Sequence, residues 1–138
     1  MDKDGQMLIH RHGEVVLFYA EESLLFQVAG WARSERRFSL RLVSSRDPLI
    51  IGHALEDAVV AIVDATRQPG EALAVLERAI GRLGPQRIAV YSEAMHDGLE
   101  IFVRVRGVTL LAGPMSPPEW EAFFTPFAHI TVRLAEGA

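Results

Sequence analysis

Ala58-Val59-Val60-Ala61-Ile62-Val63 is an unbroken apolar run that stops at a single carboxylate, Asp64. Three other runs share this form. Val15-Val16-Leu17-Phe18-Tyr19 is followed by the acidic pair Glu21-Glu22, Arg87-Ile88-Ala89-Val90-Tyr91 ends at Ser92, and Val108-Thr109-Leu110-Leu111-Ala112 ends at Gly113-Pro114. Strands that are apolar throughout are covered on both faces, which points to a parallel sheet in an α/β protein. The polar residues that end them then gather at one sheet edge, where such folds bind ligands. A fifth segment, Phe38 to Val43, sets Phe38, Leu40 and Leu42 against Ser39 and Arg41, the alternation of a strand nearer the sheet margin.

Helical spacing fills the gaps. Leu24, Leu25, Val28, Trp31 and Ala32 share one stripe, with Ser23 as a candidate cap. Asp47-Pro48 opens a short helix over 48–55, and Pro69-Gly70 opens a longer one carrying Leu73, Leu76, Ile80 and Leu83, closed by Gly84-Pro85. The stretch 95–106 fits a helix through Leu99, Phe102 and Val103, and a strand through Ile101, Val103 and Val105. A parallel sheet needs a crossover there, which favours helix. Ser116-Pro117-Pro118-Glu119 starts a last helix. Trp120, Phe123, Phe124, Phe127, Ile130 and Leu134 keep helical spacing past Pro126, so the tail is either a long kinked helix or a helix followed by an extended segment.

Composition narrows the chemistry. The 138 residues are 49% hydrophobic and 23% charged, ordinary for one globular domain, and the net charge of −4 offers no basic face to nucleic acid. With no cysteine there is no disulfide, thiolate metal site or cysteine nucleophile. No apolar run reaches the ~20 residues of a membrane span, and Met1-Asp2-Lys3-Asp4-Gly5 is no signal peptide, so a cytoplasmic protein is expected. His10 and His12 alternate on a short polar segment without a third ligand, and His53, His96 and His129 are scattered. No metal site, phosphate-binding loop or nucleophile elbow is expected.

With these polar residues in this order, the chain resembles the receiver domain of bacterial two-component response regulators over about residues 15–125. The resemblance implies a flavodoxin-like, doubly wound, five-stranded parallel sheet in the order 2-1-3-4-5, forming one domain over 1–138 with extensions at 1–14 and 126–138. It places Glu21-Glu22 at the family's acidic pair, Asp64 at the phosphoacceptor, Ser92 at the Thr or Ser ending the fourth strand, and Gly113-Pro114 at the Lys-Pro pair joined by a cis peptide. Met115-Ser116 follow where the family often has an aromatic residue and a hydroxyl.

Departures from the pattern direct the functional expectation. The family's lysine pairs with the phosphoryl group, yet Gly113 stands there and the chain's only lysine is Lys3. Glutamates replace aspartates in the acidic pair, where their longer side chains would misplace an octahedral Mg²⁺. The turn Ala65-Thr66-Arg67-Gln68-Pro69 is one residue off the family's proline spacing, and Leu110 holds the aromatic switch position. The expectation is a degenerate receiver: a stand-alone, non-enzymatic signalling module without cofactor, docking a kinase, another regulator or a second copy of itself. Two alternatives are a phosphoryl-accepting regulator using Asp64, and a STAS-like anti-sigma-factor antagonist with Thr66 in the turn of its phosphorylatable serine. Each singled-out residue also has a structural use, since Asp64 suits a helix cap, Glu21-Glu22 a solvated loop and Ser92 a turn. Two stripes on the last helix set the expected interaction face: Phe123 and Phe127 inward, Trp120 and Phe124 partly exposed, with Arg104 and Arg106 as polar rim.

Overall fold

The apolar runs form the middle of a five-stranded sheet because they have no polar side to turn to water. The computed structural model describes residues 8–11, 13–35, 38–94, 97–128 and 132–135. Along the chain these are β1 (Leu8–Arg11), β2 (Gly13–Phe18), α1 (Glu22–Glu35), β3 (Phe38–Val43), α2 (Pro48–Glu56), β4 (Ala58–Asp64), α3 (Pro69–Leu83), β5 (Ile88–Ser92), α4 (Asp97–Val105), β6 (Thr109–Ala112), α5 (Pro117–Phe124) and β7 (Val132–Ala135). The sheet order is β3-β2-β4-β5-β6, and every neighbouring pair is parallel. Numbered from β2 as the first strand of the sheet, this is the expected order 2-1-3-4-5.

Every residue of β2, β4 and β5 is buried. Successive side chains alternate between two cores: Val16, Phe18, Ala61 and Val63 meet the face that also holds buried residues of α2, α3 and α4, while Val15, Leu17, Val60 and Ile62 join Leu24, Val28 and Trp31 of α1 with Trp120 and Phe124 of α5. At about 1.5–3 kcal/mol for each fully buried large apolar side chain, the central strands stabilise both layers at once. Gly13 starts β2 because a side chain there would overlap the Val59 methyls, 2.8 Å from an ideal Cβ.

Local signals operate as expected at most ends. Asp47 caps α2, its carboxylate accepting the Leu49 N–H at 2.9 Å, and Gly84 ends α3 at φ +83°, a conformation open to glycine. Residues 97–105 are helical, with Leu99 and Val103 buried four apart on one face. Ser23, expected to cap α1, instead lies inside its first turn and gives its hydroxyl hydrogen to Glu93. The tail takes the second of its two readings. α5 stops at Phe124, Thr125–Phe127 form a 3₁₀ turn around Pro126, and the chain is extended again in β7. β7 pairs antiparallel with β1 in a two-stranded ribbon, Leu8 opposite Ala135 and Arg11 opposite Val132, an arrangement the sequence reading did not foresee. His12, His96 and His129, and the side chain of His10, lie outside the described residues.

Candidate functional site

Asp64 sits where β4 leaves the sheet and is 2% exposed. Its Oδ2 accepts the Glu21 N–H and its Oδ1 the Thr66 N–H, both at 2.9 Å. One carboxylate therefore fastens the β2–α1 turn and the β4–α3 turn to the sheet edge. The cleft above it, about 300 Å³, is lined by Tyr19, Ala20, Glu21, Ser44, Arg46 and Asp64 among others.

The acidic pair is displaced from its expected place. β2 ends at Phe18, one residue early, because Tyr19 takes a left-handed φ of +59° and gives its N–H to Val43 on β3 at 2.9 Å. Tyr19 and Ala20 thus occupy the two positions after the strand, and neither is acidic. Glu21 lies on the cleft rim, 3.4 Å from Arg67, whereas Glu22 is exposed in the first turn of α1 and does not line the cleft. Arg46 is held by Glu71 at 2.8 Å.

Around Ser92 the architecture is different. Ser92 is 1% exposed; its Oγ accepts the Ala94 N–H at 3.0 Å and its carbonyl accepts the Gly113 N–H at 3.0 Å. The Gly113–Pro114 peptide is cis. A side chain at Gly113 has no room, because its Cβ would overlap the hydroxyl and ring of Tyr91.

Tyr91 belongs to a polar network that the sequence reading missed. Its hydroxyl donates to the Glu93 carboxylate and accepts from Gln27 Nε2 at 2.8 Å. Gln27 Oε1 in turn accepts the Met115 N–H at 2.8 Å and Trp120 Nε1–H at 3.2 Å. Ser23 donates to Glu93, while Glu93 N–H reaches Thr66 Oγ1 at 3.1 Å. The network joins α1, the ends of β4 and β5 and the start of α5. Burial first, and then the bond to Glu93, push the Tyr91 phenol up to about 12, while the bonds from Ser23 and Tyr91 lower the Glu93 carboxyl. Burial chiefly raises Tyr19 as well.

Those shifts carry a pH prediction. With Tyr19 and Tyr91 the only two tyrosines, tyrosinate absorbance in the near ultraviolet should stay low at pH 10, where a free phenol is half-ionised. The folded state keeps Tyr91 protonated, so its contribution to stability is complete below the ordinary value of 10.0 and is lost as pH rises towards about 12. A native titration centred near pH 10 would contradict the buried network.

No family model and no curated protein matches the sequence. Solved structures do. A signal receiver domain of two-component signal transduction (histidine kinase) from Clostridium thermocellum aligns at TM-score 0.70 and 17% identity, over 87% of this chain and 100% of that one. An orphan response regulator of H. pylori aligns at TM-score 0.64 and 16% identity, over 86% and 99%. A protein described as pilus assembly-related, from Burkholderia pseudomallei, aligns at TM-score 0.64 and 16% identity, over 85% and 90%. The chain has the receiver fold.

Within that fold, Asp64 ends the third strand of the sheet, Ser92 ends the fourth, and the cis Gly113–Pro114 peptide follows the fifth. Only Asp64 and Glu21 share the cleft; Ser92 and Gly113 sit on the Tyr91 side and do not line it.

The expected interaction face needs correcting. Trp120 and Phe124 are 1% and 0% exposed rather than partly open, because α5 presents them to Trp31, Phe38 and Tyr91. Arg106 is held by Glu77 and lies over the Phe102 ring, 3.4 Å from its centre, while Arg104 pairs with Glu100 at 2.9 Å. Among the described residues no three potential metal ligands gather, and no helix is long and apolar enough to cross a membrane.

Proposed function

We propose that this chain is a receiver-fold signalling module that acts by binding a protein partner and runs no phosphorylation cycle at Asp64. The observation that carries the reading is Tyr91 standing where a side chain from Gly113 would project. A phosphoryl group brings about −2 charge and needs cations beside it. The place of the family's lysine is closed by an aromatic ring, and the nearby Arg46 and Arg67 are already matched with Glu71 and Glu21. Asp64 also has both oxygens committed to main-chain donors, which gives it a structural task that needs no phosphate. A Mg²⁺ ion would find only Asp64 and Glu21 as carboxylates lining the cleft, so no cofactor enters the reading. The partner is a kinase, another regulator or a second copy, met in the cytoplasm.

Incubation with acetyl phosphate, or with beryllofluoride, in the presence of Mg²⁺ should leave the intact mass and the tryptophan emission essentially unchanged. Stoichiometric, Mg²⁺-dependent modification that disappears in Asp64→Asn would replace this reading by a phosphoryl-accepting one. The cleft open above Asp64 is the feature that favours this second reading. The all-parallel sheet gives no support to the STAS-like alternative, whose sheet begins with paired strands: β1 pairs with β7 and not with β2.

A further inference from the structure

Among the described residues six large apolar side chains are exposed, and three of them, Leu42 (54%), Leu49 (82%) and Ile50 (49%), gather at one margin of the sheet. They border a groove of about 340 Å³ between β3 and α2. β3 is an edge strand: among the described residues it pairs with β2 alone. The Val43 carbonyl turns inward to the Tyr19 N–H. In a parallel strand the main-chain groups of one residue point to one side and those of the next to the other, so Leu40 and Leu42 turn theirs outward.

Exposed edges are normally guarded by a charge, a proline or a bulge. β3 reads Phe-Ser-Leu-Arg-Leu-Val, without proline, and its single charge does not guard it. Arg41 is drawn onto Glu14 of β2 at 3.1 Å. The edge thus offers unpaired main-chain groups beside an unshielded apolar lip. Another strand completes such an edge most fully, because it supplies a matching row of donors and acceptors.

We infer that β3 is a homodimerisation edge, on which β3 of a second copy adds antiparallel about a two-fold axis beside Leu42. The occupant is a second copy because the edge is self-complementary. With Leu42 on the axis, its outward N–H and C=O pair with those of its own counterpart, and Arg41 faces Val43 instead of a like charge. Leu49 and Ile50 of each copy then close over the junction. The result is a continuous ten-stranded sheet, an isologous contact that ends itself and does not propagate into fibres. This names the partner for the contact-based reading above and rests on it, but the two fail separately, since that reading is tested by phosphorylation and this one by mass.

Sedimentation of the full chain across a concentration series should show a species near twice 15.3 kDa. Leu42→Arg and Leu49→Arg, both at exposed positions, should each return a folded monomer with unchanged circular dichroism. The chain has no cysteine, so Leu42→Cys supplies a single thiol. Opposed residues in a hydrogen-bonded antiparallel pair lie about 5.5 Å apart at Cα, within disulfide range. Mild oxidation should therefore link Leu42→Cys into a covalent dimer and leave Val105→Cys, 76% exposed on α4, unlinked. A wild type that stays monomeric at every concentration would overturn the inference, as would a dimer that survives Leu42→Arg or that links through Val105→Cys.

Discussion

Trp120→Ala is expected to lower the free energy of unfolding by about 3–5 kcal/mol, and Phe124→Ala by a similar amount. Both side chains are fully buried. The Phe124 ring stacks 4.3 Å from Trp31 and 5.7 Å from Trp120, and Trp120 lies 6.1 Å from Tyr91. Removing Trp120 leaves a cavity between α5 and the sheet and deprives Gln27 of a donor at 3.2 Å. Against a total stability of about 5–15 kcal/mol for a domain, either change consumes a large share. Guanidinium unfolding followed by far-ultraviolet circular dichroism measures it, with Phe26→Ala, at a position 71% exposed on α1, as the control expected to shift by under about 0.5 kcal/mol. An equally stable Trp120→Ala protein would mean that α5 is not seated on the sheet.

At Gly113 the expected effect is of opposite steric kind. One methyl group placed there meets the Tyr91 ring and hydroxyl. Overpacking of this sort costs about 1–3 kcal/mol, and the upper end applies because Tyr91 is bonded to Glu93 and Gln27 and cannot swing aside freely. Gly113→Ala should therefore destabilise, and the same change in a Tyr91→Val background should cost at least about 1 kcal/mol less, the coupling expected of residues in contact. Gly113→Lys alone should not confer phosphorylation at Asp64, whereas Gly113→Lys with Tyr91→Val opens the lysine's path. A neutral Gly113→Ala would show that the ring yields, and would remove the main support for a silent Asp64.

The sheet could be read from the sequence because buried parallel strands carry no polar face, so the runs ending at Asp64, Ser92 and Gly113 announced themselves. Local chemistry placed α2 and α3 as well, through Asp47-Pro48 and Gly84-Pro85. The acidic pair slipped because Tyr19 is an ordinary strand residue by type, and nothing local reveals that it turns left-handed to reach Val43. Trp120 and Phe124 were misplaced for a related reason, although Phe127 is buried as read and Phe123 packs against the same core. Trp120 with Phe124, and Phe123 with Phe127, are equivalent patterns on an isolated helix, and the choice between them depends on Trp31, Phe38 and Tyr91 far away in the chain. The Tyr91 network left a faint signal: a large aromatic residue just before Ser92, opposite a strand whose end has lost its side chain at Gly113.

The ribbon of β1 with β7 has a kinetic meaning. Its partners are separated by almost the whole chain, so pairing them before the sheet exists would require closing a very long loop. Two short strands are too weak to hold such a loop shut unaided. They meet because the finished sheet brings both segments to one place. The ribbon is therefore expected to form last on folding and open first on unfolding, an order that amide hydrogen exchange would check through lower protection in β1 and β7 than in β4.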